Sequence, residues 1–415
     1  MTNDDNPTST PAAGGRGGWG RRGVLQAAGA SALGAGLATL GGGTAFADGR
    51  GNGNGKGHGA AHSSDGVVRQ KLRFPANGRF RIVQFNDTQD SHRTDTRTIE
   101  LQKAVLDEVR PNFVVINGDV INGGPASVAE TKQAINNVVL PMEERGIPWA
   151  LTFGNHDEDS TGRTGFDEAD MIAFIRQYKH NLNTPGAEVT GTSNQVLTVS
   201  AAKGDEDAFA IWLLDSGRYA PKTIAGQDIE GYPHWDWLRF DQVEWYARTS
   251  RELEERRGSA LPGLVFQHIA LHEHRAMWFD SIDSRTEADH SRAREKHSIV
   301  GERHEDECPG PFNSGMFNAM LHRGDIKGLF VGHDHINSYT GDYFGIELGY
   351  SPGTGFAPYG LPGADKHRLR GARVFTLEEG ADGFTSELKF ARDYGIDMSP
   401  TAKPGEPAPF PDYVK

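Results

Sequence analysis

Short runs of β-branched and aromatic residues recur along this chain, and each stops in a cluster of Gly, Asp, Asn, Gln or His. RFRIVQFND (79–87), NFVVINGD (112–119), PWALTFGNHD (148–157), LPGLVFQHIAL (261–271) and IKGLFVGHDH (326–335) all have this form. Runs of this length and composition read as buried strands. Between them lie stretches of helical character: RTIELQKAVLDEV (97–109), stopped by Pro111; ASVAETKQAINNVVLPMEERG (126–146); EADMIAFIRQYKH (168–180); and DQVEWYARTSRELEERRG (241–258). Strands alternating with helices predict an α/β protein whose helices cover a sheet. NQVLTVSAA (194–202) and FAIWLLDSG (209–217), separated by an acidic turn, predict an antiparallel pair. With 415 residues, 36% of them apolar, the chain can bury a full core.

In open α/β sheets the ligand crevice lies beyond the carboxyl ends of the strands, so residues distant in sequence converge there. The residues placed at or just past those ends are Asp87 and Gln89, Asp119, Asn155, His156 and Asp157, His268, and His333 and His335. Oxygen and imidazole donors of this kind suit two divalent ions held ~3.5–4 Å apart. His333 and His335, two apart, point the same way if their segment is extended.

The order of these motifs resembles the calcineurin-like metallophosphoesterase superfamily, from about Arg79 to Tyr339. YPHWDWLRFDQVEWY (232–246) and FNSGMFNAMLHRGDIKGLFVGHDH (312–335) are similar to secreted phosphatases and short purple-acid-phosphatase-like proteins. The resemblance implies a single catalytic domain, a four-layer α/β/β/α sandwich with a dinuclear metal centre. It implies that Asp119 bridges both ions, that Asp87 and His335 bind the first, and that Asn155, His268 and His333 bind the second. His156 would then contact the phosphoryl oxygen or protonate the leaving group, with Asp157 orienting its ring. The implied reaction is attack of a metal-bridging hydroxide on the phosphorus of a small phosphomonoester. A phosphodiesterase at the same centre is the alternative, and a non-catalytic metal-binding surface protein is a third reading. A 5′-nucleotidase would need a further domain, and only 80 residues follow His335.

Two positions depart from the family pattern. Gln89 stands where much of the superfamily carries His, and an amide oxygen is a neutral donor, weaker than imidazole toward zinc. Gln89 is expected to ligate or brace the first ion and to tilt that site from Zn toward Mn or Fe. Asn122 stands where purple acid phosphatases proper carry a metal-binding Tyr, so no purple colour is expected; Asn122 braces the bridging carboxylate or caps a turn.

The N-terminus resembles a twin-arginine signal: Arg21-Arg22, an apolar run, then Ala45-Phe46-Ala47. The run from Val24 to Leu40 is short and glycine-diluted, below the ~20 apolar residues of a membrane span. These features predict residues 1–47 as a signal peptide engaging the Tat export machinery, a secreted or extracytoplasmic protein, and no stable membrane span after cleavage. Residues 48–66 read as a flexible linker, 67–395 as the catalytic domain and 396–415 as a Pro-rich tail extended along the surface. The charged insertion 280–311 reads as a surface loop or lid, with His290, His297 and His304 facing solvent. Trp235, Trp237 and Trp245 read as packing residues. A formal charge of −13 argues against a nucleic-acid-binding surface, and the single Cys308 excludes an intrachain disulfide.

Overall fold

The computed structural model describes residues 70–415; the segments expected to be a signal peptide (1–47) and a linker (48–66) lie outside the described residues. Strand β1 (Leu72–Arg73) leads into β2 (Arg79–Phe85), then α1 (Thr96–Val109), β3 (Phe113–Asn117), α2 (Val128–Arg145) and β4 (Trp149–Thr152). After the short α3 (Thr161–Thr164) and α4 (Glu168–Ile175) come β5 (Gln195–Ser200) and β6 (Asp207–Leu214). A minor hairpin, β7 (Thr223–Ile224) and β8 (Gln227–Asp228), precedes α5 (Phe240–Arg257) and β9 (Gly263–Gln267). The chain continues through α6 (His272–Phe279), α7 (Glu287–Lys296), α8 (Met316–Arg323) and β10 (Ile326–Val331). It closes with β11 (Thr340–Tyr343), β12 (Ile346–Tyr350), β13 (Gly371–Glu378) and β14 (Phe384–Phe390).

The strands form two principal sheets, ordered β14-β13-β2-β3-β4 and β1-β5-β6-β9-β10-β12-β11. The strand period of two explains why they stack. In β2, Phe80 and Ile82 point to one face and join Phe113, Phe209, Ile211, Leu213, Leu264, Phe266 and Phe330 in a core between the sheets. Val83 and Phe85 belong instead to a second core beneath α1 and α2, with Leu101, Val105, Ile135 and Val138. On the far side Trp212, Val265 and Leu329 pack against α5, α6 and α8 through Tyr246, Met277 and Met320. These three cores are the α/β/β/α sandwich that the family resemblance implied. β5 and β6 pair antiparallel, whereas β2, β3 and β4 run parallel, as do β6, β9 and β10.

The insertion 280–311 is a built part of the domain, contrary to the expectation of a solvated loop. Thr286 and Asp289 form a capping box that starts α7, and His290 stacks on Trp278 at 4.0 Å. His297 is buried and Glu307 is fully so; Glu307 accepts from Arg303 Nε (2.8 Å), Arg275 Nε (3.3 Å) and Tyr339 Oη (2.7 Å). Of its three histidines only His304 is exposed. Trp245 packs as expected, edge-on to Trp212 at 5.5 Å, but Trp235 and Trp237 are only partly buried. Among the described residues no helix is long and apolar enough to cross a membrane.

The C-terminal segment is held by a buried ion pair. Asp95, the N-cap of α1, accepts from Arg97 Nε (2.8 Å) and Nη2 (2.7 Å). Arg97 directs its remaining donors to the carbonyls of Ser399 (2.6 Å) and Thr401 (2.9 Å), and Lys403 N donates to Asp95 Oδ2 (2.8 Å). Burial by itself raises the Asp95 carboxyl, but the Arg97 fork together with the backbone N–H groups of Lys403 and Arg97 outweighs it, so the net shift is downward. That contribution to stability is fully present above the ordinary value of 3.8 and is lost as pH falls through the lower folded value. Arg97→Ala leaves Asp95 buried without its partner and should cost about 3–5 kcal/mol. Thermal melting checks the loss, and limited proteolysis should show the tail cleaved first; an unchanged melting temperature would contradict it.

Candidate metal centre

The site is assembled where the two sheets meet at the carboxyl ends of their parallel strands. Asn117, the last residue of β3, sends Nδ2 across to the carbonyls of Gln267 (2.9 Å) and Phe330 (3.2 Å) in the opposite sheet. Its own carbonyl lies 3.0 Å from His268 Nδ1, which turns the other imidazole nitrogen toward the carboxylates. His268 Nε2 is 3.2 Å from Asp119 Oδ2 and 3.8 Å from Asp87 Oδ1, and His335 Nε2 is 3.3 Å from Asp87 Oδ1. Asp87, Asp119 and His335 together bring ligand atoms within 4.8 Å of one another. Asp119 Oδ1 accepts from His156 N at 2.8 Å, which leaves Oδ2 turned toward His268.

The local backbone is bent to make this possible. Asp87, Gln89, Asp119 and His333 all have positive φ (51°, 37°, 48° and 73°), a conformation side-chain-bearing residues seldom adopt outside functional sites. Glycine precedes three of the candidate ligands for a steric reason. A Cβ on Gly118 would lie 2.4 Å from His268 Nδ1, one on Gly154 2.3 Å from Asp119 Oδ1, and one on Gly332 2.8 Å from Asp87 Oδ2.

Asp87, Asp119, Asn155 and His268 are fully buried, and Gln89, His333 and His335 nearly so. Burial opposes protonation of His268, yet the Asp119 and Asp87 carboxylates beside it push its pKa up to about 10. Burial and the neighbouring His268 push His333 down to about 3, so that ring is neutral with a lone pair to give. Two carboxylates in a water-excluded pocket thus demand positive charge. The donor atoms also fit metal ions. Gln89 Oε1, Asn155 Oδ1 and His333 Nε2 are buried without hydrogen-bond partners, a costly state for polar atoms unless a cation satisfies them, while His268 Nε2 and Asp119 Oδ2 face one another at 3.2 Å.

Asp87, Asp119, His268, His333 and His335 lie together at this rim, and two local readings need correction. Asp157 does not orient His156. Its carboxylate accepts from Gly154 N (2.8 Å) and Ile121 N (3.1 Å) and so shapes the turn after β4, which ends at Thr152 rather than running on to Asp157. The carboxylate on His156 is that of Asp159, with Oδ2 at 2.5 Å from Nδ1. His333 and His335 do not extend side by side, because the left-handed φ at His333 turns the chain. His333 lies edge-on to Trp235 (4.5 Å) and His268 (5.3 Å), whereas His335 stacks on Tyr359 (4.3 Å). Asn122 caps a turn, accepting from Gly124 N at 2.8 Å.

Sequence reasoning missed the rim. Tyr219 brings Oη within 3.4 Å of Asn155 Nδ2, and Tyr359 Oη donates to Glu305 (2.8 Å), whose other oxygen accepts from Ile336 N (2.8 Å). The insertion therefore braces the loop carrying His335. Arg218 and Tyr219 follow β6 in LLDSGRY, so strand-end position was the available signal, although neither is a usual metal ligand.

The calcineurin-like phosphoesterase family model matches residues 80–337. The chain is 30% identical over 342 residues to probable inactive purple acid phosphatase 29 of Arabidopsis thaliana, covering 75% of this chain and 79% of that one. It is 29% identical to probable inactive purple acid phosphatase 14 of the same plant, covering 71% and 75%. Among solved structures it is similar to a dimetal phosphatase from Danio rerio, with 14% identity, a TM-score of 0.46 and coverage of 74% of this chain and 98% of that one.

The glycine geometry generates a prediction. Gly154→Ala forces Asp119 or His268 to move and should destabilise the fold by roughly 1–3 kcal/mol. Gly162→Ala, where an added methyl meets open space, should be nearly neutral. Paired denaturant melts decide it, and equal midpoints would refute the steric account.

Proposed function

The chain belongs to the calcineurin-like phosphoesterase family and is a phosphoric ester hydrolase, and from that premise we propose that it is an exported, metal-dependent phosphatase acting on small phosphomonoesters. The observation that carries this reading is the gathering of Asp87, Asp119, His268 and His335 at one buried rim built from both sheets, with three further buried donors, Gln89 Oε1, Asn155 Oδ1 and His333 Nε2, left without partners. Asp87 and His335, with Gln89, would hold one ion; Asn155, His268 and His333 would hold another; Asp119 would serve both. Bound there, the ions supply Lewis acidity that neutralises phosphate charge and makes water nucleophilic near neutral pH.

The chain's own residues do the positioning. The His156 amide fixes Asp119 through Oδ1 and keeps Oδ2 directed toward His268. Asn117 fixes the His268 ring through Nδ1, the outer hydrogen bond that sets which nitrogen faces a metal. His156, a third exposed, would hydrogen-bond a phosphoryl oxygen or protonate a leaving oxygen. Arg21-Arg22 and Ala45-Phe46-Ala47 support export through the twin-arginine route with cleavage after Ala47.

Wild-type protein recovered outside the cytoplasm should begin at Asp48, lose activity to a chelator, and cleave p-nitrophenyl phosphate faster than bis-p-nitrophenyl phosphate. Asp119→Ala should abolish turnover. Retained activity in Asp119→Ala would refute the assignment of this centre; the names of the two plant relatives speak for a non-catalytic reading, which no activity in metal-loaded wild type would favour. A faster diester rate would instead select a phosphodiesterase.

Gln89 bears on the metal. Its Oε1 is a buried, partnerless amide oxygen, and its backbone N–H donates to the Asp119 carbonyl at 2.8 Å, so its position is fixed by the same residue that would bridge the ions. Gln89→His should raise zinc content relative to manganese or iron by several-fold, read by elemental analysis. Identical metal content and affinity would remove Gln89 from the site.

A further inference from the structure

The His156 ring is held at Nδ1. Its Nδ1 meets Asp159 Oδ2 at 2.5 Å, and the Asp159 N–H donates to the His156 carbonyl at 3.0 Å, closing a tight turn. The carboxylate is in turn clamped from another segment. Arg218, in the loop after β6, donates Nη2 to Asp159 Oδ1 (2.8 Å), Nη1 to Glu158 Oε2 (3.1 Å) and Nε to the Asn155 carbonyl (3.2 Å). Tyr219 Oη adds contacts of 3.2 and 3.3 Å to the two Asp159 oxygens, and its ring stands edge-on to His156. Room for Asp159 is made by Gly123, where a Cβ would fall 2.8 Å from the Asp159 Cβ. His156, Asp159 and Arg218 are each between a quarter and about a third exposed, so the group stands at the mouth of the pocket rather than in its floor.

We propose that Asp159, clamped by Arg218, is the positioning residue that holds the His156 ring so that Nε2 delivers a proton to the leaving oxygen of the phosphoester. The inference rests on the phosphatase reading. In this step the phosphorus–oxygen bond to the leaving group breaks and the Nε2 proton passes to that oxygen, while the Nδ1 proton stays on the ring against Asp159. Water supplies the oxygen that joins phosphorus, and a proton from water restores Nε2. A carboxylate on Nδ1 selects the tautomer and fixes the ring plane, as outer-shell carboxylates do for other working imidazoles. Asp157, the residue next to His156, cannot take this part because both its oxygens are committed to backbone N–H groups.

A proton donor matters most where the leaving group is basic, which gives the test. Asp159→Asn should lower kcat on an alkyl ester such as glycerol phosphate by ~10²-fold, but on p-nitrophenyl phosphate by less than ~10-fold. KM, metal content and melting temperature should stay at wild-type values. In a His156→Ala background the same change should add almost nothing, since the two act as a unit. Nitrogen-edited NMR should show the His156 Nδ1–H bonded in wild type and released in Asp159→Asn, a readout independent of turnover. Equal losses on both esters, additive losses in the double variant, or no Nδ1 hydrogen bond in an active wild type would each overturn the proposal. If that bond is present while wild type hydrolyses neither ester, the phosphatase reading fails and the proposal falls with it.

Discussion

The two sheets of this molecule must stay in register at one rim, and Asn117 enforces it. An ordinary sandwich is held by apolar packing, which tolerates small slides between layers. Here a buried amide at the end of β3 donates to the backbones of β9 and β10, while its carbonyl meets the His268 ring. A slide of one sheet on the other would strand these groups without water, at about 1–3 kcal/mol for each unsatisfied polar atom. The candidate metal ligands come from both sheets, Asp87, Asp119 and Asn155 from one and His268, His333 and His335 from the other. Their spacing is therefore set by the same bonds that fix the sandwich.

Strain and charge concentrate at that rim. Four of the seven candidate ligands have left-handed φ, at a cost of order 1–3 kcal/mol each that the surrounding packing must offset. The acidic pocket adds a second cost. Its fully buried carboxylates are balanced by imidazoles or by cations, and His268 and His333, packed ring to ring, answer the same environment with opposite shifts. A strongly acidic chain can accommodate phosphate chemistry only if positive charge is confined to such a place.

Strands and helices were legible because apolar periodicity is a local signal, and Asp119, Asn155 and His268 were legible because they stand just past strand ends. What escaped depends on how loops turn. Whether Asp157 or Asp159 serves His156 is decided by which carboxylate caps the turn after β4, and sequence offers two acids for one task. The extended reading of His333 and His335 failed at a single left-handed residue. The insertion 280–311 misled through its composition: charged residues usually stay in water, but Arg303, Arg275 and Tyr339 satisfy Glu307 so completely that it is buried.

The strapping of the last residues across α1 bears on when the molecule is finished. Arg97 and Asp95 leave the ribosome long before Ser399, Thr401 and Lys403, yet need their backbone groups to fill a buried hydrogen-bond shell. Until those residues emerge, the entrance to α1 holds a half-satisfied charge pair, and the sandwich it caps stays incomplete. A chain that stopped before Ser399 would leave Arg97 and Asp95 with buried polar atoms that nothing else in the sandwich reaches to satisfy.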